Sequence, residues 1–400
     1  MEQISYNKEQ TKQKMIQITD KSQCCGCTAC ASICAHDAIT MQPDTLGFLY
    51  PVVNKNKCVD CELCEKVCAF NEHYDTSLNL SQPLIYAARH KNIHEVETSR
   101  SGAAFIALSD YILENGGVVY GVGYADHFRV FHKRATTKEE RNEFKGSKYA
   151  QSDLNTTFRQ VKKDLKNGLT VLFSGTPCQT AGLNSYIGKH LRINLILIDI
   201  ICHGVPSPRY WDDYLTHIEK KYKSQAIKID FRNKRFGWTD HIETIRLKNG
   251  KCIWSHKYTN IFYKNINLQY SCGNCHFTNF NRPSDITLGD FWGWEHSLPT
   301  FNKDDKGCSL LFISTAKGEK LLNKISQSLI LIPIKKDNCL QPNLTHPTIL
   351  HPQRKQFETD YKEHDFSFVF KKYTDTEYKW YIKAYIRIWT KKLKRFLIKI

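Results

Sequence analysis

The chain carries one cysteine spacing twice, C-x2-C-x2-C-x3-C, first as Cys24, Cys27, Cys30 and Cys34 and then as Cys58, Cys61, Cys64 and Cys68. A segment with both copies has little freedom in how it folds. Three cysteines two residues apart wrap a turn of backbone around one face of an iron–sulfur cube, and the fourth points away to the other cube of a pair. On that logic Cys24, Cys27, Cys30 and Cys68 hold one [4Fe–4S] cluster, and Cys34, Cys58, Cys61 and Cys64 hold a second. A single quartet would also suit zinc, which takes four thiolates as well. Two identical quartets favour the dicluster arrangement. Ala35 and Ala69 stand where proline usually follows the fourth cysteine, but a proline there shapes the turn and binds no iron.

The rest of the chain is consistent with a reducing compartment. Residues 1–15 are polar, with neither the apolar core nor the cleavage site of a secretory signal. The 16 cysteines therefore read as metal ligands of a cytoplasmic protein rather than as a disulfide framework. No run is long and apolar enough to span a membrane; the best, Leu195 to Ile201, is short and broken by Asp199. The formal charge of +17 overstates the basicity of a metal-loaded protein, because a cubane with four thiolates is an anion. A basic surface serves nucleic acid, an anionic membrane, an acidic redox partner or a phosphorylated cofactor equally well. The cysteine–histidine spacings of zinc-dependent nucleic-acid binders are absent, so nucleic acid is not an expected partner.

With 400 residues there is room for about two or three domains. The expected fold is an α+β ferredoxin-like module, then an α/β domain, then a basic C-terminal helix. The expected boundaries are a leader over 1–19, the ferredoxin module over 20–70 and a polar linker over 71–83. The α/β domain follows over 84–350 and a basic amphipathic tail over 351–400. Within the α/β domain, alternating helix and strand patterns predict helices over Ser101–Glu114, Thr137–Phe144, Leu154–Lys166 and Cys178–Tyr186. Strands are predicted over Val118–Tyr124, Arg129–Arg134, Leu169–Phe173 and Leu195–Ile201, with a hairpin turn at Lys248-Asn249-Gly250. The glycines at 116, 117, 121 and 123 do not form a dinucleotide-binding fingerprint.

Four further cysteines stand in suggestive places. Cys178 follows a buried strand in Ser174-Gly175-Thr176-Pro177-Cys178-Gln179, and Cys202 ends the next strand. Neighbouring parallel strands would bring both to one carboxyl edge, where open α/β sheets place their sites. Cys272 and Cys275 form a C-x2-C in a polar loop. The four make a third metal site, or Cys178 and Cys202 are buried small hydrophobes, as free cysteines often are; a helix-start cysteine can also be a low-pKa nucleophile. Cys25, Cys252, Cys308 and Cys339 are read as bystanders.

The sequence resembles the beta-subunit family of coenzyme F420 hydrogenases and dehydrogenases, with a ferredoxin fused at its N-terminus. The resemblance is carried by Ser101-Gly102-Ala103, the stretch from Gly146 to Ser152, Ser174 to Gln179, and Cys202 to Pro208. It continues through Phe231 to Trp238, Cys272 to Cys275, and Arg282 to Trp292. It implies FAD and a [4Fe–4S] cluster inside the α/β domain, which favours Cys178, Cys202, Cys272 and Cys275 as ligands. Ala103 departs from the family's frequent second glycine. A flavin exchanges hydride on one side and single electrons on the other, so it links a hydride partner to the clusters. For the FAD pyrophosphate, Ser101 and Gly102 offer a helix start, Gly175 and Thr176 a second strand-to-helix turn, and Lys148 a positive charge. His203 reads as a hydrogen-bond donor beside a ligand rather than as the catalytic acid.

The hydride partner implied by the resemblance is coenzyme F420 or NAD(P)H. Similar proteins in bacteria without the deazaflavin accompany surface-polysaccharide genes. Catalysis at FAD and non-catalytic electron delivery to a separate enzyme are both open, so the partner is a small hydride donor or acceptor or a redox protein. Beyond the motifs, Tyr378, Tyr381, Ile382, Tyr385, Trp389, Leu393, Phe396 and Ile400 recur at helical steps. Lys379, Lys383, Arg387, Lys391, Lys394 and Arg395 fall largely on the other sides. Such a helix either packs on the domain or lies peripherally on an anionic membrane.

Overall fold

The computed structural model describes residues 15–70 and 74–374, together with Ile382, Ile386, Trp389 and Thr390. Its thirteen strands among the described residues form a hairpin, a small sheet and one large mixed sheet. The hairpin is β1 (Ile39–Pro43) and β2 (Leu49–Val53). The large sheet contains β3 (Asn79–His90), β4 (Val118–Tyr124), β5 (Val130–Ala135), β6 (Val171–Ser174) and β7 (Leu195–Ile200). After the small antiparallel sheet of β8 (Ala226–Asp230), β9 (Glu243–Leu247) and β10 (Cys252–Ser255) come β11 (Ile286–Asp290), β12 (Ser309–Thr315) and β13 (Leu329–Pro333). The order in the large sheet is β13-β3-β12-β11-β7-β6-β4-β5. β4, β6, β7 and β11 run parallel to one another, and antiparallel strands close both sides.

The central strands are apolar on both faces, as strands covered on both sides must be. Val171 and Phe173 of β6, with Leu195 and Leu197 of β7, face the helices Thr157–Lys166 and Pro177–Ile187. Leu172, Ile196 and Ile198 point the other way, toward the helices Ala104–Glu114 and Ala316–Ile325. Period-two alternation thus feeds two cores from one run of sequence. The N-terminal module joins the first of these cores through Ala29, Cys30, Ile39, Cys64 and Val67.

A second anchor fixes that module. The turn between β1 and β2 inserts Leu46 and Phe48, both fully buried, into an aromatic core with Tyr210, Trp211, Tyr214 and Tyr258. Burying a side chain such as Phe48 contributes about 1.5–3 kcal/mol. Polar contacts close the same junction: Ser207 Oγ donates to Leu46 O at 2.6 Å, and Lys21 bridges Asp44 and Glu358 at 2.7 and 2.5 Å.

Two expected boundaries shift. β3 begins at Asn79, inside the stretch expected as a linker, because β12 recruits it: Asn79 pairs with Thr315 across an irregularity. Pro83 costs no β13 hydrogen bond there, since β13 engages only Tyr86 to His90. At the other end, the helices Arg354–Glu363 and Phe366–Tyr373 are part of the folded body rather than of a tail. Phe357, Tyr361, Val369 and Tyr373 complete the aromatic core. Of the C-terminal apolar stripe, Ile382 and Trp389 are helical and exposed, while its other members lie outside the described residues. Among the described residues no helix is long and apolar enough to cross a membrane.

Asp285, at the base of β11, is fully buried and ties the parallel strands together. It accepts from Leu197 N at 2.8 Å and Thr315 Oγ1 at 2.7 Å, and it pairs with Arg192 at 3.1 Å and Lys317 at 3.5 Å. Burial alone would push its carboxyl up, but Arg192 and Lys317 hold it below the ordinary value. Replacing it with alanine strands two cations in the core and is expected to cost about 3–5 kcal/mol in urea unfolding at pH 7. Because the folded value is depressed, the stabilisation is complete above the ordinary carboxylate value of about 3.9. It disappears as pH falls through the folded value, so wild type and Asp285→Ala should converge in stability in acid.

Candidate functional site

The helices Ala29–Ile33 and Leu63–Lys66 each begin at a residue with positive φ, Thr28 at 64° and Glu62 at 60°. Gly26 supplies another left-handed step at 68°, and a Cβ there would sit 2.8 Å from Leu49 O. These reversals curl the chain so that successive cysteine side chains point inward. Cys24, Cys27, Cys30 and Cys68 are electrostatic neighbours within one buried group. Cys34, Cys58, Cys61 and Cys64 line one cavity beside Met15, Ile39 and Val53. The cross-pairing read from the spacing is therefore the pairing found in space: Cys68 lies with the first set and Cys34 with the second.

The third set also converges. β6 and β7 are adjacent and parallel, with Ser174 opposite Ile198, so Cys178 and Cys202 both emerge at the carboxyl edge. Cys202 has Cys272, Cys178 and Cys275 as its charge neighbours. Val205 N donates to Cys272 Sγ at 3.4 Å, holding the loop against the strand end. Cys178 stands at the start of the helix Pro177–Ile187, whose Thr176 and Gln179 form a reciprocal capping box. Behind that turn, His132 accepts or donates at Ser174 O (3.1 Å) and Ser152 Oγ (2.9 Å), and Gln179 Nε2 donates to Ser152 Oγ at 3.1 Å.

Burial raises the thiols of this region: Cys24 to about 12, Cys272 to about 12 and Cys275 to about 11. Deeply placed thiolates need a cationic core to compensate them, and iron in a cluster supplies one. The donor chemistry thus fits iron–sulfur clusters. Among the described residues no three His, Cys, Asp or Glu groups are disposed to hold a single metal ion. A mononuclear zinc site would need all its sulfurs about 2.3 Å from one point.

The residues expected to cradle FAD are only partly free to do so. Ser101 and Gly102 precede the helix Ala104–Glu114 in a turn: Ser101 Oγ donates to Cys308 O at 2.5 Å, and Gly102 N donates to Ser309 Oγ at 2.9 Å. Gly175 N donates to Ile198 O at 3.1 Å, and Thr176 N to Gln179 Oε1 at 3.0 Å, so both amides are already engaged. Lys148 Nζ turns back on the carbonyls of Glu143 (2.6 Å) and Lys145 (2.9 Å), and burial lowers it to about 7.

Beside them lies a cationic cluster that the sequence pattern did not single out by role. Arg100, Arg232, Lys234 and His241 surround Asp290, at the carboxyl end of β11. Arg232 donates to Asp290 at 2.6 Å and to Trp238 O at 2.9 Å, and its guanidinium lies over the Trp292 ring at 5.4 Å. Trp238 and Trp292 stack at 4.7 Å. Burial, with Arg100 and other cations adding to it, lowers Lys234 to about 7; burial and Arg232 lower His241 to about 4. Among the described residues, Arg100 Nη1 and Arg232 Nε are buried with no hydrogen-bond partner. Arg232, Lys234, Trp238, Asp290 and Trp292 all fall in stretches that carried the family resemblance, and Arg100 directly precedes another; that was the available signal.

Residues 23–71 match the 4Fe-4S dicluster domain. This is an iron–sulfur electron-transfer protein of the oxidoreductase type. Residues 168–336 belong to the family described as the C terminus of the coenzyme F420 hydrogenase/dehydrogenase beta subunit. Among solved structures, a chain of the F420-reducing [NiFe] hydrogenase complex from Methanosarcina barkeri aligns at 17% identity. It covers 73% of this chain and 91% of that chain, with a TM-score of 0.44. Comparison with curated proteins finds no match.

Proposed function

We propose that the chain is an iron–sulfur flavoprotein that passes electrons between a small hydride donor or acceptor and a redox partner protein. In this reading Cys24, Cys27, Cys30 and Cys68 hold one [4Fe–4S] cluster, and Cys34, Cys58, Cys61 and Cys64 a second. Cys178, Cys202, Cys272 and Cys275 hold a third. The observation that carries the reading is the convergence of the last four, from two strand ends and a distant loop, beside the first ferredoxin set. Cys61, Val59 and Leu63 are exposed at the far side of the second set, which is where a partner would exchange electrons.

FAD, when bound, supplies the exchange between hydride and single electrons. Its phosphates suit the Arg100, Arg232 and Lys234 cluster, where unmet guanidinium donors await an anion. Trp292 and Trp238 offer an aromatic wall beside them. Ser101 and Gly102 border this cluster and remain candidates for backbone contact, whereas Lys148, Gly175 and Thr176 act first on their own turns. Coenzyme F420 and NAD(P)H are the hydride partners to test, with the surface-polysaccharide setting of similar proteins left to the substrate found. Arg232→Ala should lower bound flavin at least tenfold while leaving iron content unchanged, read by flavin fluorescence and iron analysis of anaerobically purified protein. Undiminished flavin in that variant would remove the cationic cluster from the proposal. Anaerobic mixing with F420H2, NADH and NADPH then tests for reduction of the flavin absorbance.

A further inference from the structure

The spacing leaves Cys25 without a role, yet it lies at the junction of two thiol sets. It is 6% exposed and packs in one buried group with Cys27, Cys68, Cys178 and Cys275, walled by Phe70 and Phe277. Its thiol is hydrogen-bonded to Cys178 and to Cys27, one from each set. The backbone around it is fixed from the α/β domain. Gln151 Nε2 donates to Cys25 O at 3.1 Å and to Gln269 Oε1 at 2.8 Å, and Gln269 Nε2 donates to Cys24 O at 3.2 Å. Gly182 permits this closeness, because a Cβ there would lie 2.7 Å from Cys27 Sγ.

The proton in this trio has a clear owner. The Cys178 and Cys27 bonds, then burial, push the Cys25 thiol well above its usual value. Cys27 and Cys178 are both lowered, chiefly by their bond to Cys25. Cys25 is the neutral donor and the two flanking sulfurs are acceptors.

We propose that Cys25 is a positioning residue that couples the first ferredoxin set to the Cys178 set, its S–H donating to Cys27 and Cys178 and raising the reduction potential of the cluster on each side. This rests on the ligand assignments proposed above. An added electron increases the negative charge on cluster-bound sulfur, so a donor aimed at that sulfur stabilises the reduced state; hydrogen bonds to sulfur are one lever that sets such potentials. A single electron crossing between the sets oxidises one and reduces the other, and the proton stays on Cys25. Because one thiol serves both, the two potentials move together and the step between them stays small. The apolar walls keep water from replacing the donor.

The test compares full-length wild type, Cys25→Ala and Cys25→Ser, purified anaerobically, by iron and sulfide analysis and by redox titration followed by electron paramagnetic resonance. Alanine removes the donor; serine keeps one. With iron unchanged, Cys25→Ala is expected to shift the reduction equilibrium of two clusters about tenfold toward the oxidised form, ~59 mV for one electron. Cys25→Ser should stay near wild type, and the cluster of the Cys34 set should not move in either. Unmoved potentials in the alanine variant at full iron content would overturn the proposal. Loss of one cluster's iron in both variants would overturn it too, by making Cys25 a ligand. Failure of the ligand assignments themselves shows in wild type, as iron short of three clusters.

Discussion

Cys178→Ser is expected to lower the iron and acid-labile sulfide of the full chain by a third, from about twelve to about eight per molecule, four for each cubane lost. Cys178 is neighbour to Cys202, Cys272 and Cys275, and it reaches the set from a helix start that its own side chain does not build. Thr176 and Gln179 cap that helix, so serine at 178 leaves the turn intact. The two ferredoxin sets draw on other residues and should keep their iron and spectra. Circular dichroism and thermal melting separate this from unfolding: secondary structure should be retained while the third cluster's signal disappears. Iron at the wild-type level in a folded Cys178→Ser protein would exclude Cys178 as a ligand.

A larger loss of stability is expected at Arg282. Its guanidinium is buried and meets the buried Asp199 of β7 at 3.2 Å. The same group donates to Ile200 O at 2.9 Å, to Thr287 Oγ1 at 3.2 Å and to Phe277 O. It therefore fastens the loop after Cys275 to the strand that ends near Cys202. Arg282→Met leaves Asp199 charged and unpaired in the sheet, which costs about 3–5 kcal/mol. Urea unfolding at pH 7 should show that loss, and the third cluster should become labile because its loop is no longer held. Burial already pushes the Asp199 carboxyl up, so without Arg282 it protonates more readily. Asp199→Asn in the Arg282→Met background should recover part of the loss. A single variant as stable as wild type would show that the pair does not hold the loop.

The sequence and the structure agree where the signal is local. β4 occupies Val118–Tyr124 as its apolar run predicts, and β6, β7 and the helix Pro177–Ile187 fall within a residue or two of expectation. The hairpin at Lys248 to Gly250 joins β9 to β10 as its turn residues require. Cysteine spacing is also local chemistry, and it pairs Cys68 with Cys24 correctly because the fourth ligand of such a repeat belongs to the other cube.

What the sequence hid depends on distant partners. Asn79 to Pro83 looks like a linker until β12 pairs with it. Phe357, Tyr361 and Tyr373 look like a tail's aromatic stripe until the helix Pro208–Tyr222 and the strands β8 and β9 offer them a face. Arg100, Arg232 and Lys234 look like solvated cations, and only folding brings them around Asp290. Cys25 has no spacing partner of its own; its position matters because Cys178 arrives beside it from far along the chain.

The most direct measurement is iron and acid-labile sulfide per full-length wild-type chain after anaerobic purification, read together with electron paramagnetic resonance of the reduced protein. Three sets of four thiols predict about twelve of each, four per cubane, and three interacting [4Fe–4S] signals. About eight of each, or zinc in place of iron, would contradict the third cluster and with it the route from the α/β domain to the ferredoxin pair.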